Sequence, residues 1–182
     1  MEFEKFKVNG LLLIKPKIFS DDRGFFFESF HKAKFFEMGI DIEIFQQNQS
    51  GSKKNILRGL HYQIKNSQGK LVRVLRGQVF DVAVDLRKTS PTFGKWESVV
   101  LSEENKDELW IPPGFAHGFY VLSDWAEVEY FTTNIYSPEY ERTIIWNDPD
   151  LGINWPIPDG EQPILSEKDS QGKLYKDAEI YE

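Results

Sequence analysis

The stretch KLVRVLRGQVFDVAVDLR, from Lys70 to Arg87, constrains the fold more than any other part of the chain. Before Gly77, Leu71, Arg73 and Leu75 alternate with Val72, Val74 and Arg76; after it, Val79, Asp81, Ala83 and Asp85 alternate with Phe80, Val82, Val84 and Leu86. A period of two sends successive side chains to opposite faces of a strand. The spacing therefore predicts two strands joined as a hairpin at Gly77-Gln78. One face is apolar, more cleanly in the second strand.

Similar short β-favouring runs recur between turn signals, namely GLLLIKPKIF, RGFFFESF, IEIFQQN, LRGLHYQ, WESVVLS, DELWIPPG, HGFYVLS and AEVEYFTTNIY. Only KAKFFEMG, Lys32 to Gly39, reads as a helix, with Gly39 closing it. From Asp148 onward the chain is rich in Pro, Gly, Asp and Glu and is expected to wrap the surface. No repeat, low-complexity tract or linker divides it. Residues 1–182 are expected to form a single all-β domain, a sandwich or a barrel.

Charge and composition narrow the function. The 22 Lys and Arg face 29 Asp and Glu, a formal charge of -7 with no block of like charge, which argues against nucleic acid as a partner. An anionic ligand would need locally placed Arg and Lys. With no cysteine, disulfides, thiolate catalysis and thiolate metal sites are excluded. The apolar run near the N-terminus is too short for a signal-peptide core or a membrane span, so a cytoplasmic protein is expected, and the sequon at Asn48 is set aside.

No Walker loop, GxGxxG or GxSxG occurs, and neither HxH nor HExxH spacing joins His61 to His117. A three-histidine metal centre would have to recruit His31 from the helix, so no metal site is expected. His61, in LRGLHYQ, reads first as a buried, hydrogen-bonded core histidine and second as a base beside an anion-binding Arg58. His117, in IPPGFAHGF, reads as a turn residue capping the backbone or as a second member of a shared cavity. Lys70 and Arg73 are, on the plain view, solvated strand charges. Asp85 lies in an apolar run and calls for an arginine partner. Tyr130 divides between core packing and chemistry. His, Lys, Arg and Tyr together suit general acid–base work on an anionic ligand.

Taken together, DDRGFFFE, FQQNQS, LRGLHYQ, GKLVRVLRGQVFDVAVDLR, TFGKW, IPPGFAHGF, YSPEYE, NDPDLGINWP and ILSEKD resemble, in order and over nearly the whole chain, the dTDP-4-dehydrorhamnose 3,5-epimerase family. The resemblance implies a cupin-type jelly roll with a few short helices. It also implies cofactor-independent epimerisation of a nucleotide-diphosphate 4-keto-6-deoxy sugar, on the way to dTDP-L-rhamnose. His61 then resembles the proton acceptor, Tyr130 the proton donor and Asp169 the carboxylate that pairs with the base. Lys70 and His117 resemble residues around the sugar, and Lys70 is the natural cation for an enolate oxygen. Arg58 resembles the diphosphate contact. Arg23, Glu28, Gln46 and Asn48 resemble the nucleotide-binding set, Glu141 and Lys168 match further ligand contacts, and Phe26 is expected to stack on the base. The family is dimeric, which implies that Arg23 and Glu28 act in the partner's pocket.

Two positions depart from the pattern. Phe131 stands where the family often has Lys, and Gln47 where it commonly has Asp. Each is expected to alter pocket polarity or the choice of base. The alternatives are a C3- or C5-only epimerase for another nucleotide sugar, and a non-catalytic cupin that only binds one.

Overall fold

The computed structural model describes residues 1–182. In chain order the strands are β1 (Glu2–Lys5), β2 (Leu12–Lys15), β3 (Ile18–Asp21), β4 (Gly24–Phe27), β5 (Gln46–Lys53), β6 (Leu57–Gln63), β7 (Lys70–Arg76), β8 (Gln78–Asp85), β9 (Trp96–Ser102), β10 (Glu108–Ile111), β11 (Phe115–Val121), β12 (Trp125–Thr132) and β13 (Glu141–Thr143). Two short α-helices, α1 (Lys32–Glu37) and α2 (Glu167–Ser170), and two 3-10 turns at Pro138–Tyr140 and Tyr175–Asp177 complete the regular structure. One sheet runs β1-β2-β10-β7-β12-β5 and a second runs β13-β6-β11-β8-β9, while β3 and β4 form a separate two-stranded hairpin. All paired strands are antiparallel, and the expected all-β jelly roll is the fold.

The hairpin expected at Gly77 does not form. Strand β7 lies in the first sheet and β8 in the second, so Gly77 is the corner at which the chain changes sheets. A single connecting residue is too short for the two-residue turn that lets neighbouring strands pair. Gly77 instead spends its backbone on the loop after β9, donating to the Glu103 carboxylate at 2.9 Å and accepting from the Glu103 N–H at 3.0 Å. It sits at φ +75, and a Cβ there would fall 2.0 Å from the Trp125 carbonyl oxygen, so only glycine fits.

The crossing also explains the blurred alternation of β7. Val72 and Val74 point into the core between the sheets, against Val79, Ala83, Phe115 and Phe119 from the opposite wall. Leu71 points the other way, into a satellite core with Leu12, Ile14, Phe35 and Trp110 under α1. A strand covered on both faces reads as continuous apolar sequence. Strand β8 is also covered on both faces. Val82 and Val84 lie under Leu151, Trp155, Tyr175 and Tyr181 of the C-terminal stretch, which wraps the surface as expected.

Other boundaries have local causes. Pro16 splits GLLLIKPKIF into β2 and β3. In IEIFQQN the strand begins only at Gln46, because the β12 ladder that pairs with β5 ends at Thr132 opposite Gln46. The N–H of Thr133 then turns away to Gly69. The expected helix forms, with Gly39 just beyond its end at φ +82. Asp85 finds its arginine, Arg87, at 2.7 Å. Arg73 is not a solvated charge: it is half-buried and bound to Glu129 at 2.7 Å. No helix is long and apolar enough to cross a membrane.

Candidate active site

At one end of the sandwich the apolar core gives way to a cavity of about 330 Å³ between the two sheets. The sixteen lining residues include only four hydrophobic ones, an unusual interior for a sandwich and one suited to a polar ligand. Strand β6 supplies one wall. Strict alternation would send Arg58 and His61 to opposite faces, yet both line the cavity. A bulge makes the difference, since His117 pairs with His61 but Phe119 pairs with Arg58, leaving one extra residue in β6. Gly59 fills that position at φ +111, where a Cβ would come within 2.6 Å of both Gly118 Cα and the His117 carbonyl oxygen.

His61 Nε2 lies 2.5 Å from Asp169 Oδ1. Asp169 comes from α2, 108 residues further along, and is buried. Its Oδ1 also accepts the Gly59 N–H at 3.2 Å, and its Oδ2 accepts the Ser166 hydroxyl at 2.7 Å. Burial alone would raise the Asp169 pKa. The hydrogen bonds from His61 and Ser166 outweigh it and hold the carboxyl at about 2. For His61, burial wins over the pull of Asp169 and lowers the imidazole below its ordinary 6.5. The pair therefore stands at neutral pH as a carboxylate and a neutral imidazole. With Nε2–H donated to Asp169, the Nδ1 lone pair is left as the proton acceptor.

Tyr130 belongs to β12 in the other sheet, so it faces the cavity from the wall opposite β6. Burial raises its pKa, with a smaller opposing effect from Arg58, so the phenol keeps its proton. Lys70 opens β7 and is buried, its Nζ 3.5 Å from the His61 carbonyl oxygen. It is not the solvated charge that its sequence context suggests. Burial pushes its pKa down to about 8. His117 is likewise no turn residue: it lies buried inside β11, and its Nε2 sits 2.9 Å from both Asp81 oxygens.

Gln46, Asn48, Arg58, Glu141 and Lys168 line the same cavity. Arg58 is braced by Ser52 Oγ at 2.9 Å and the Gly51 carbonyl at 3.3 Å. At the rim, Glu141 accepts from Lys168 and from the Tyr136 hydroxyl, each at 2.9 Å. The structure does not bring Arg23, Phe26 or Glu28 to this cavity. Arg23 and Phe26 stand exposed on the β3–β4 hairpin and Glu28 follows it, paired with Lys34 at 2.5 Å. Gln68 and Tyr136 line the cavity and were missed, although Tyr136 opens one of the quoted motifs. Asp81 was missed as the partner of His117. Its signal was an acid embedded in an apolar strand, the same signal that singled out Asp85.

The expectation that Phe131 and Gln47 alter the pocket is overturned. They face one another across β12 and β5, but on the outer side of the sheet. Phe131 packs against the satellite core with Leu71 and Trp110. Gln47 donates to Glu129 at 2.7 Å. Their neighbours Tyr130, Gln46 and Asn48 point inward by the period of two.

No three His, Asp or Glu side chains gather where they could hold a metal ion. Each cavity histidine is bound to its own carboxylate instead.

The model of the family described as dTDP-4-dehydrorhamnose 3,5-epimerase matches residues 5–177. The chain belongs to that family. A dTDP-4-dehydrorhamnose 3,5-epimerase of Pseudomonas aeruginosa is 53% identical over 182 residues, covering 100% of this chain and 99% of that protein. Among solved structures, the Legionella pneumophila dTDP-6-deoxy-D-glucose-3,5-epimerase in complex with dTDP-4-keto-L-rhamnose has a TM-score of 0.93 and 51% identity, covering 98% of this chain and 94% of that one. A 3'-monoepimerase from Streptomyces bikiniensis, in complex with dTDP-quinovose, has a TM-score of 0.86 and 36% identity, covering 93% and 85%.

Proposed function

We propose that the chain is a dTDP-4-dehydrorhamnose 3,5-epimerase that inverts C3 and C5 of dTDP-4-dehydro-6-deoxy-D-glucose through an enolate. The observation that carries the reading is a neutral imidazole backed by a buried carboxylate on one wall of a polar cavity, with a protonated tyrosine on the wall opposite. A hydrogen on the carbon beside a ketone is acidic enough for imidazole to remove when the developing oxyanion is met by a positive charge.

His61 Nδ1 takes the proton, and the electron pair moves through carbon to the C4 oxygen, where Lys70 supplies the cation. Tyr130 returns a proton to carbon from the other side, which inverts the centre. Imidazolium and phenolate then reset through solvent. Arg58 matches the diphosphate, because a forked guanidinium fits phosphate oxygens. Identity above 50% to double epimerases, against 36% to the monoepimerase, favours inversion at both carbons. Proton NMR of the product tests this directly: ring couplings altered at both C3 and C5 are expected, and inversion at C3 alone would reassign the chain.

The reading includes a homodimer whose hairpins complete each other's sites. It is supported by the exposure of Arg23 and Phe26, with Phe26 72% exposed, outside their own chain's cavity. Mixing His61→Ala chains with Arg23→Ala chains is expected to restore about a quarter of wild-type activity, since half of the randomly assorted dimers are mixed and each mixed dimer holds one intact site of two. Mixtures no more active than their parents would reject sharing.

The charge states set a pH profile. The free enzyme's kcat/KM is expected to fall on the acid side, below 6.5, as His61 is protonated. On the alkaline side it should fall near 8, because Lys70 carries its proton below that value and loses it above. Lys70→Arg should carry the alkaline limb to higher pH. A limb that stays near 8 would belong to another group.

A further inference from the structure

Ser166 makes two hydrogen bonds to one residue. Its Oγ accepts the Asp169 N–H at 3.2 Å, capping α2, and its hydroxyl donates to Asp169 Oδ2 at 2.7 Å. The first is the ordinary bond of an N-cap serine. The second is not part of capping. A hydroxyl has one proton, and committing it to Oδ2 fixes which way the carboxylate faces.

The three donors around Asp169 divide cleanly. Oδ2 is met by Ser166, while Oδ1 is met by the Gly59 N–H and by His61. Without Ser166 the carboxylate keeps donors on one oxygen only and can turn about the bond that joins it to the side chain. Turning would swing Oδ1 away from His61. Helix α2 is a single turn of four residues whose flanks are tied down by backbone bonds, Ile164 to Asn55 and Leu57 and Lys173 to Thr143 and Ile145, so the freedom left to Asp169 is that of its side chain.

We propose that Ser166 is a positioning residue for proton abstraction: it locks the Asp169 carboxylate so that His61 is held in the tautomer and orientation that leave Nδ1 free. This rests on the acid–base reading of His61 given above. Ser166 touches neither the cavity nor the reacting atoms and acts only through Asp169.

Capping and positioning separate by substitution. Glycine is a fair N-cap, whereas alanine is a poor one. Neither offers a hydroxyl to Oδ2. Threonine offers both bonds. Removing an outer partner that orients a metal-bound imidazole typically costs about 10- to 100-fold, and a loss of the same order is expected for an imidazole that works as a base.

The test is steady-state kinetics of the full chain on dTDP-4-dehydro-6-deoxy-D-glucose, with wild type and His61→Ala in the same series. Ser166→Gly and Ser166→Ala are both expected to lose kcat about tenfold or more, with KM within about twofold, and Ser166→Thr to recover most of it. The acid limb should also move to lower pH in the glycine variant, because a carboxylate that turns away from His61 holds the imidazolium less while burial still disfavours it. A loss in Ser166→Ala that Ser166→Gly does not share would leave only a cap and overturn the proposal. So would wild-type kcat in both, or an unmoved acid limb. If His61→Ala itself retains activity, the acid–base reading fails; if it is inactive while the Ser166 variants behave as wild type, only this inference fails.

Discussion

His61→Ala is expected to lose turnover by about 10²- to 10⁴-fold, the range that a positioned general base contributes, while binding of dTDP stays within a few-fold of wild type. The two effects separate because the proposed mechanism sets His61 against the sugar, whereas Arg58, Gln46 and Asn48 lie at other positions around the cavity. The fold should survive. The His61 side chain is 24% exposed and lies at the cavity, outside the apolar core, and Asp169 keeps its bonds to Gly59 and Ser166. Isothermal titration with dTDP beside turnover of the full substrate reads both quantities. Loss of binding in proportion to loss of rate would instead make His61 a ligand-holding residue.

Tyr130→Phe is expected to have the second-largest effect, and a different one. It removes a single hydroxyl that donates no hydrogen bond within the chain and whose pKa is raised by burial. Abstraction by His61 needs no such group. The variant should therefore still exchange substrate hydrogen with solvent at a rate within about tenfold of wild type, while net inversion falls by about 10²-fold or more. Exchange without inversion is the signature of a base that works and an acid that is missing. Equal loss of both would mean that Tyr130 shapes the cavity, and no directional return of the proton could then be assigned to it.

The strands of the core were legible because β7, β8, β9, β11 and β12 carry enough β-branched and aromatic residues for their existence to be read locally. Their partners were not. Whether Gly77 turns a strand back on its neighbour or sends it to the opposite sheet depends on Glu103 and Trp125, which are far away in sequence. Strand β1, written EFEK, and the three-residue β13 carry little apolar signal and take their form from the strands beside them.

The site divides in the same way. Residue types alone suggested acid–base chemistry on an anion, but they did not bring Asp169 to His61 across 108 residues; only the family resemblance named that partner. Lys70 misled because a lysine at a strand start is ordinarily solvated, and its burial is set by which end of the sandwich opens. Phe131 and Gln47 misled through proximity in sequence to Tyr130 and Asn48. In a strand the nearest neighbour is the residue that faces away.

The most direct test of one histidine serving both carbons is deuterium wash-in. The wild-type protein and His61→Ala are incubated with dTDP-4-dehydro-6-deoxy-D-glucose in heavy water and read by mass and proton NMR. The wild type is expected to place label at both C3 and C5, and His61→Ala to place it at either carbon at least about 10²-fold more slowly. Label entering at either carbon of the His61→Ala reaction at the wild-type rate would contradict the account.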